Sequence, residues 1–117
     1  MDKSDCVFCK IVEGSVSVEQ IASSKNFIAI LDVHPKVNGH TLIIPREHYV
    51  NILDLPDTLG NELVKFSKQV AKNLMDKDYG NGFQLVMNNF PSAGQVVMHA
   101  HLHVLPRKEK DEFKSHV

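Results

Sequence analysis

Several features are scarce in this chain of 117 residues, and each scarcity closes off a class of function. No apolar run approaches the roughly 20 residues that a membrane-spanning helix needs. The N-terminus opens with Asp2, Lys3, Ser4 and Asp5, which is not the pattern of a signal peptide. A cytoplasmic protein without a membrane partner is therefore expected. Excess charge is missing too: 13 Lys and Arg stand against 14 Asp and Glu, a formal net charge of −1. With no basic stripe to follow a phosphate backbone, nucleic acid is not the expected partner. Cysteine occurs only as Cys6 and Cys9, and in a cytosolic chain a disulfide between them is not expected. C-x-x-C is either a redox pair or half of a zinc site. A thioredoxin-like redox pair follows a buried strand, whereas only a polar tail precedes Cys6, so two zinc ligands are the better reading. Internal repeats and low-complexity segments are absent as well.

What is present fits one domain over residues 1–117, with a core at about 5–108 and a charged tail at 109–117. Apolar residues make up 43% of the chain, enough for one real core at this length. A short N-terminal helix is expected from a cap at Ser4 or Asp5 to about Glu13, stopped by Gly14. Val18–Ala22, Phe27–Leu31, His40–Pro45 and Phe83–Met87 read as strands. Asp54 reads as the cap of one long amphipathic helix, with Leu59, Leu63, Phe66, Val70 and Leu74 along its stripe, ending near Lys77. A histidine-bearing strand from Met98 to Pro106 closes the chain. Most connections are too short for parallel crossovers. The expected fold is α+β: a mainly antiparallel five-stranded sheet, one long helix and one short N-terminal helix.

The chemistry concentrates in MHAHLHVLPR. In a strand, successive side chains point to opposite faces, so His99, His101 and His103 share one face while Met98, Ala100, Leu102 and Val104 form an apolar back. Neutral imidazole offers one nucleophilic nitrogen and one N–H donor. With its N–H on a fixed acceptor, the other nitrogen is aimed and can attack phosphorus. Neighbouring N–H groups then stabilise charge on the phosphoryl oxygens. His101, flanked on both sides, is the best placed.

His-x-His-x-His with two apolar residues after it resembles the signature of the HIT (histidine triad) family. The block from Phe27 to His48, the AGQVVMH lead-in from Ala93 to His99, and the N-terminal CVFCKIVEG extend the resemblance over roughly residues 5–108. It implies an α+β domain that pairs as a homodimer with a continuous sheet. It also implies a hydrolase that attacks the α-phosphate of a purine nucleotide and passes through a nucleotidyl-histidine. By resemblance, His101 is the nucleophile and His103 bonds the phosphate. His40 lines the site, and the backbone carbonyl of His99 accepts the N–H of the nucleophile. Asp32 reads from the residues as a loop cap and by resemblance as the ribose-binding carboxylate. Asn88 and Gln95 are implied to contact the phosphate or leaving group, and the amides of Gln95, Val96 and Val97 are candidate phosphate donors. Val96 departs from the Ser or Thr of well-known branches, which puts leaving-group preference in doubt. Phe8, Ile30 and Val33 are candidate walls for the base.

The resemblance also completes the zinc site: in bacterial-type members with the same C-x-x-C, the remaining ligands correspond to His48 and His99. Four protein ligands make the zinc structural. Three further readings stay open. One is a dinucleoside polyphosphate hydrolase of the Fhit-like branch, in contrast to the phosphoramidate-cleaving Hint-like branch. Another is a zinc hydrolase with His99, His101 and His103 or His40 around one metal. The last is a nucleotide-binding module without turnover.

Overall fold

The computed structural model describes residues 5–109 and 111. Helix α1 (Val7–Glu13) ends at Gly14, whose φ of 86° lets its N–H turn back to the carbonyls of Ile11 and Lys10. Its cap is not Asp5 but Cys6, whose sulfur accepts the N–H of Cys9; Ser4 lies outside the described residues. Strands β1 (Gln20–Ser23) and β2 (Phe27–Leu31) form a hairpin, and β3 (Thr41–Pro45) returns beside β2. Helix α2 spans Gly60–Asp76, strand β4 Gly82–Val86 and strand β5 Leu102–Arg107. Sheet order is β1-β2-β3-β5-β4, with each neighbouring pair antiparallel, as expected.

Alternation along the strands divides the core into two. Phe27, Ala29, Ile43 and Val104 pack against Phe66, Val70 and Leu74 of α2. Ile28, Ile30, Leu42 and Ile44 face the other way, against Cys6, Phe8 and Cys9 around α1. Each fully buried Ile or Phe contributes roughly 1.5–3 kcal/mol of transfer free energy. The sheet is thus a wall with α2 behind it, and the functional side chains gather on the α1 side.

Two expectations need correction. Asp54 does not cap α2. Its carboxylate accepts the backbone N–H groups of Val50 and Asn51, closing a turn. A 3₁₀ turn at Asp57–Leu59 follows Pro56, and the helix proper begins at Gly60. The histidine strand also starts later than Met98. Its pairing with β3 begins at Ile43 opposite Leu102. Two register steps further along, Pro45 has no N–H to offer, and the Ala100 N–H goes instead to the Tyr49 carbonyl at 2.6 Å. His99 and His101 therefore sit on an irregular approach to β5. Among the described residues, no helix is long and apolar enough to cross a membrane.

Candidate functional site

The histidines divide into two groups. His99 is fully buried, and its Nε2 lies 2.9 Å from the Pro45 carbonyl. A carbonyl only accepts, so Nε2 carries the proton and Nδ1 bears the lone pair. That Nδ1 faces Cys6 Sγ at 3.3 Å and Cys9 Sγ at 3.5 Å, and His48 Nδ1 lies 3.2 Å from Cys9 Sγ. The four ligand atoms all fall within 4.8 Å of one another. Zinc bonds of about 2.3 Å to sulfur and about 2.0–2.1 Å to nitrogen place tetrahedral S and N ligands about 3.6 Å apart. The observed separations approach that edge length, and the S₂N₂ donor set suits zinc. The residues present fit the metal.

His101 and His103 belong to a second group, with His40 and Asp32. His101 Nδ1 lies 2.8 Å from the His99 carbonyl, so Nδ1 donates and Nε2 keeps its lone pair for the cleft that the ring lines. His40 Nδ1 accepts the Lys36 N–H at 3.1 Å, so its proton is on Nε2. That N–H meets His103 Nδ1 at 2.9 Å, with Asp32 Oδ2 further off at 3.5 Å. His103 Nδ1 is then an acceptor, and its own proton sits on Nε2. The backbone thus sets a division of labour: His101 offers a lone pair and His103 offers a donor. The rings lie 4.9 Å apart between centroids.

Burial favours the neutral form of these rings. It lowers the pKa of His101, against the opposing pull of the His99 carbonyl and Asp32. His103 is pushed down to about 4, by burial first and then by His101 and His40. His40 is lowered by burial as well, although Asp32 opposes the shift.

His101 and His103 line a cleft of about 480 Å³ between α1 and the ends of β2 and β4. Phe8, Ile11, Val18, Ile30, Leu42 and Val97 supply apolar walls, and Phe8 packs edge-on against His101 at 5.1 Å. Asp32, Val33, Asn88 and Val96 also line it. Asp32 does cap its loop, since Oδ1 accepts the His34 N–H at 2.9 Å, and the same side chain borders the cleft. Gln95 is placed otherwise. It is buried, with Oε1 on the Phe90 N–H and Nε2 on the carbonyls of Val50 and Val97, so its amide holds the loop together. A single metal held by His99 with His101 is not what the fold builds. Among the described residues the metal-competent groups are Cys6, Cys9, His48 and His99, and separately Asp32, His40 and His103. Sequence reasoning missed Lys36 and His34, which line the cleft. The amide of Lys36 orders His40 through its backbone, and no residue-type signal reports that.

Comparison with known proteins agrees with this geometry. The HIT domain profile matches residues 15–110. A HIT-like protein of Methanocaldococcus jannaschii is 38% identical over 108 residues, covering 91% of this chain and 81% of that protein. The Arabidopsis thaliana protein named adenylylsulfatase HINT3 is 34% identical over 93% of this chain, which spans only 55% of it. Among solved structures, a Streptococcus mutans protein superposes with a TM-score of 0.91 at 35% identity, covering 99% of this chain and 74% of the other. A zinc-bound histidine triad protein from Mycobacterium smegmatis gives a TM-score of 0.89 at 33% identity, covering 97% and 82%. With the alternating histidines, the two-sided core and the profile in agreement over most of its length, the chain belongs to the histidine triad (HIT) family.

Proposed function

We propose that the protein is a nucleotide hydrolase or transferase acting through His101 on the α-phosphate of a purine nucleotide, with phosphoramidate or adenylate-type substrates. The observation that carries this is the 2.8 Å contact from His101 Nδ1 to the His99 carbonyl, which leaves Nε2 unprotonated at the cleft. In the first step the Nε2 lone pair forms a bond to phosphorus. The bond from phosphorus to the leaving group breaks, and the leaving nitrogen or oxygen departs with that electron pair and takes up a proton. The His103 Nε2–H is suited to hold a phosphoryl oxygen as charge builds. In the second step water bonds to phosphorus and gives up a proton to solvent, the P–N bond to His101 breaks with its electron pair returning to Nε2, and the nucleoside monophosphate leaves. Asp32 is suited to accept ribose hydroxyls, and Phe8, Ile30 and Val33 to wall the base. Asn88 and the amides of Val96 and Val97 border the phosphate path. The name of the Arabidopsis relative, an adenylylsulfatase, fits an adenylyl-transfer reading.

Cys6, Cys9, His48 and His99 are the residues that would hold zinc, as a structural tie with no open position for chemistry. A homodimer in the cytoplasm completes the reading. Its support is an apolar patch of Val64, Phe83 and Leu85, each 42–56% exposed, along the edge strand β4 and the adjacent α2.

The deciding test is AMP release from adenosine 5′-phosphoramidate and from diadenosine triphosphate, comparing wild type with His101→Ala. Turnover of the phosphoramidate by wild type, and a drop of several orders of magnitude in the variant, is the expected result. AMP binding without turnover of either compound would replace this reading with a binding module.

A further inference from the structure

Helix α1 belongs to both sites at once. Cys6 Sγ lies 3.3 Å from His99 Nδ1, and Cys9 Sγ lies 3.2 Å from His48 Nδ1 and 3.5 Å from that of His99. Phe8 stands between the two cysteines in sequence. Its ring meets His99 edge-on at 5.8 Å between centroids and His101 at 5.1 Å. Val7, Phe8 and Ile11 line the cleft, and Val16 and Val18, on the segment leading to β1, extend that wall. The sheet contributes Ile30 and Leu42.

Helicity alone does not keep α1 in place. It has seven residues, against the roughly 12–15 that leave an isolated helix only marginally stable in water. The backbone bonds at its C-terminal end are local: the N–H of Gly14 reaches Ile11, and those of Ser15 and Val16 reach Lys10. Its position on the sheet comes from side chains. Phe8 packs in one apolar cluster with Ile28, Ile30, Leu42 and Ile44, and the cysteine sulfurs meet His48 and His99. Four donors gathered on one metal become a rigid tie, since binding free energy at such a site is folding free energy.

A base seated against Phe8 and Ile11 loses those contacts if α1 leaves the sheet, and α1 leaves more readily when the tie is open. Both ligands therefore bind the docked helix better than the undocked one, which is the condition for positive linkage. We propose that α1 is a metal-latched wall of the nucleoside site: occupation of the Cys6, Cys9, His48 and His99 cluster and binding of a nucleoside strengthen each other, so that nucleotide binding follows zinc supply. This rests on the nucleotide reading above and adds a regulation to it. It is separate from the His99 carbonyl, which orients the ring of His101 and touches no part of a nucleoside wall.

The test titrates adenosine and AMP calorimetrically into zinc-loaded wild type and into chelator-stripped protein, below the melting temperature of the stripped form. Stripping is expected to weaken both ligands by about tenfold, within the range of ordinary coupling free energies. Saturating adenosine should tighten zinc binding by the same factor, read by competition with a chromophoric chelator, because linkage is reciprocal. Hydrogen exchange of the stripped protein should show protection lost at residues 7–13 while α2 and β3 keep theirs. Unchanged adenosine affinity after stripping, with or without a change for AMP, overturns the latch. So does protection retained at residues 7–13, or lost throughout the fold. In each of those cases binding by the zinc-loaded protein leaves the nucleotide reading standing. Zinc-loaded wild type that binds neither adenosine nor AMP overturns both.

Discussion

The imidazole of His101 takes its orientation from the peptide carbonyl of His99, 2.8 Å from Nδ1, while the ring of His99 lies 3.3 Å from Cys6 Sγ. One residue thus joins two sites, its side chain in the Cys/His cluster and its backbone under the ring proposed to attack. Disturbing the cluster should be felt at His101.

Metal removal is the direct expression of that coupling. Protein made without chelator should carry about one zinc per chain, and exhaustive chelation should lower both the melting temperature and kcat. A loss of about 2 kcal/mol corresponds to roughly 10 °C in a domain of this size. The Cys6→Ser/Cys9→Ser double variant should already be low in Tm and insensitive to chelator. Zinc well below one per chain, or an unchanged wild-type Tm after chelation, would remove the structural metal and the coupling with it.

Much of this arrangement was legible in the sequence because strand geometry has a period of two. His101 and His103 share a face, and Ala100 and Val104 are buried as part of the apolar back. The zinc set followed from the resemblance, and the fold brings those four donors together. What the pattern could not report is where a polar group finds its partner once loops close. Asn88 borders the cleft as expected, but Gln95, equally an amide beside the triad, bonds to a carbonyl 45 residues earlier in the chain. Asp54 has the residue type and spacing of a helix cap, yet its nearest orphan donors are the N–H groups of Val50 and Asn51. The ladder stops at Leu102 because of a proline on the neighbouring strand and a competing carbonyl at Tyr49, both distant in sequence.

His40 is argued to act through His103 rather than on the substrate. Its Nε2–H fixes the His103 tautomer at 2.9 Å. His40→Leu should therefore reduce kcat by about a hundredfold, the lower end of the effects seen for proton-handling groups. His40→Gln, which retains a donor, should recover part of that loss. Zinc content should not change in either variant. Equal activity of the Leu and Gln variants would reduce His40 to a packing role.

Gly39 precedes His40 at a φ of 82°, and a Cβ built there would meet the Tyr79 ring at 2.8 Å. Both the backbone angle and the ring oppose any side chain. Gly39→Ala should cost about 1–3 kcal/mol from the strained conformation, and more where Tyr79 must move. Because the displacement starts next to His40, kcat should fall too. Denaturant unfolding together with AMP release checks both effects, and wild-type stability in the variant would show that the loop relaxes freely.

Glu62, at the start of α2, grips the turn between β1 and β2. Its carboxylate accepts from Ser24 Oγ at 2.6 Å, from Asn26 Nδ2 at 2.7 Å and from the Asn26 N–H at 2.8 Å. The Ser24 bond and then the Asn26 bonds hold its pKa below the ordinary glutamate value, with the small burial effect opposing them. A depressed folded-state pKa stabilises the fold above the unfolded value, and that stability is lost as pH falls through the folded value. Wild type should thus melt a few degrees above Glu62→Gln at pH 7. The gap should close as pH falls below about 4.3, the unfolded glutamate value, because the protonated acid can no longer accept on both oxygens. The group is near the surface, so salt should shrink the gap as well. Melting curves of the two proteins from pH 7 to pH 3 measure it: a constant difference across that range would mean that the ionised carboxylate is not what holds the turn.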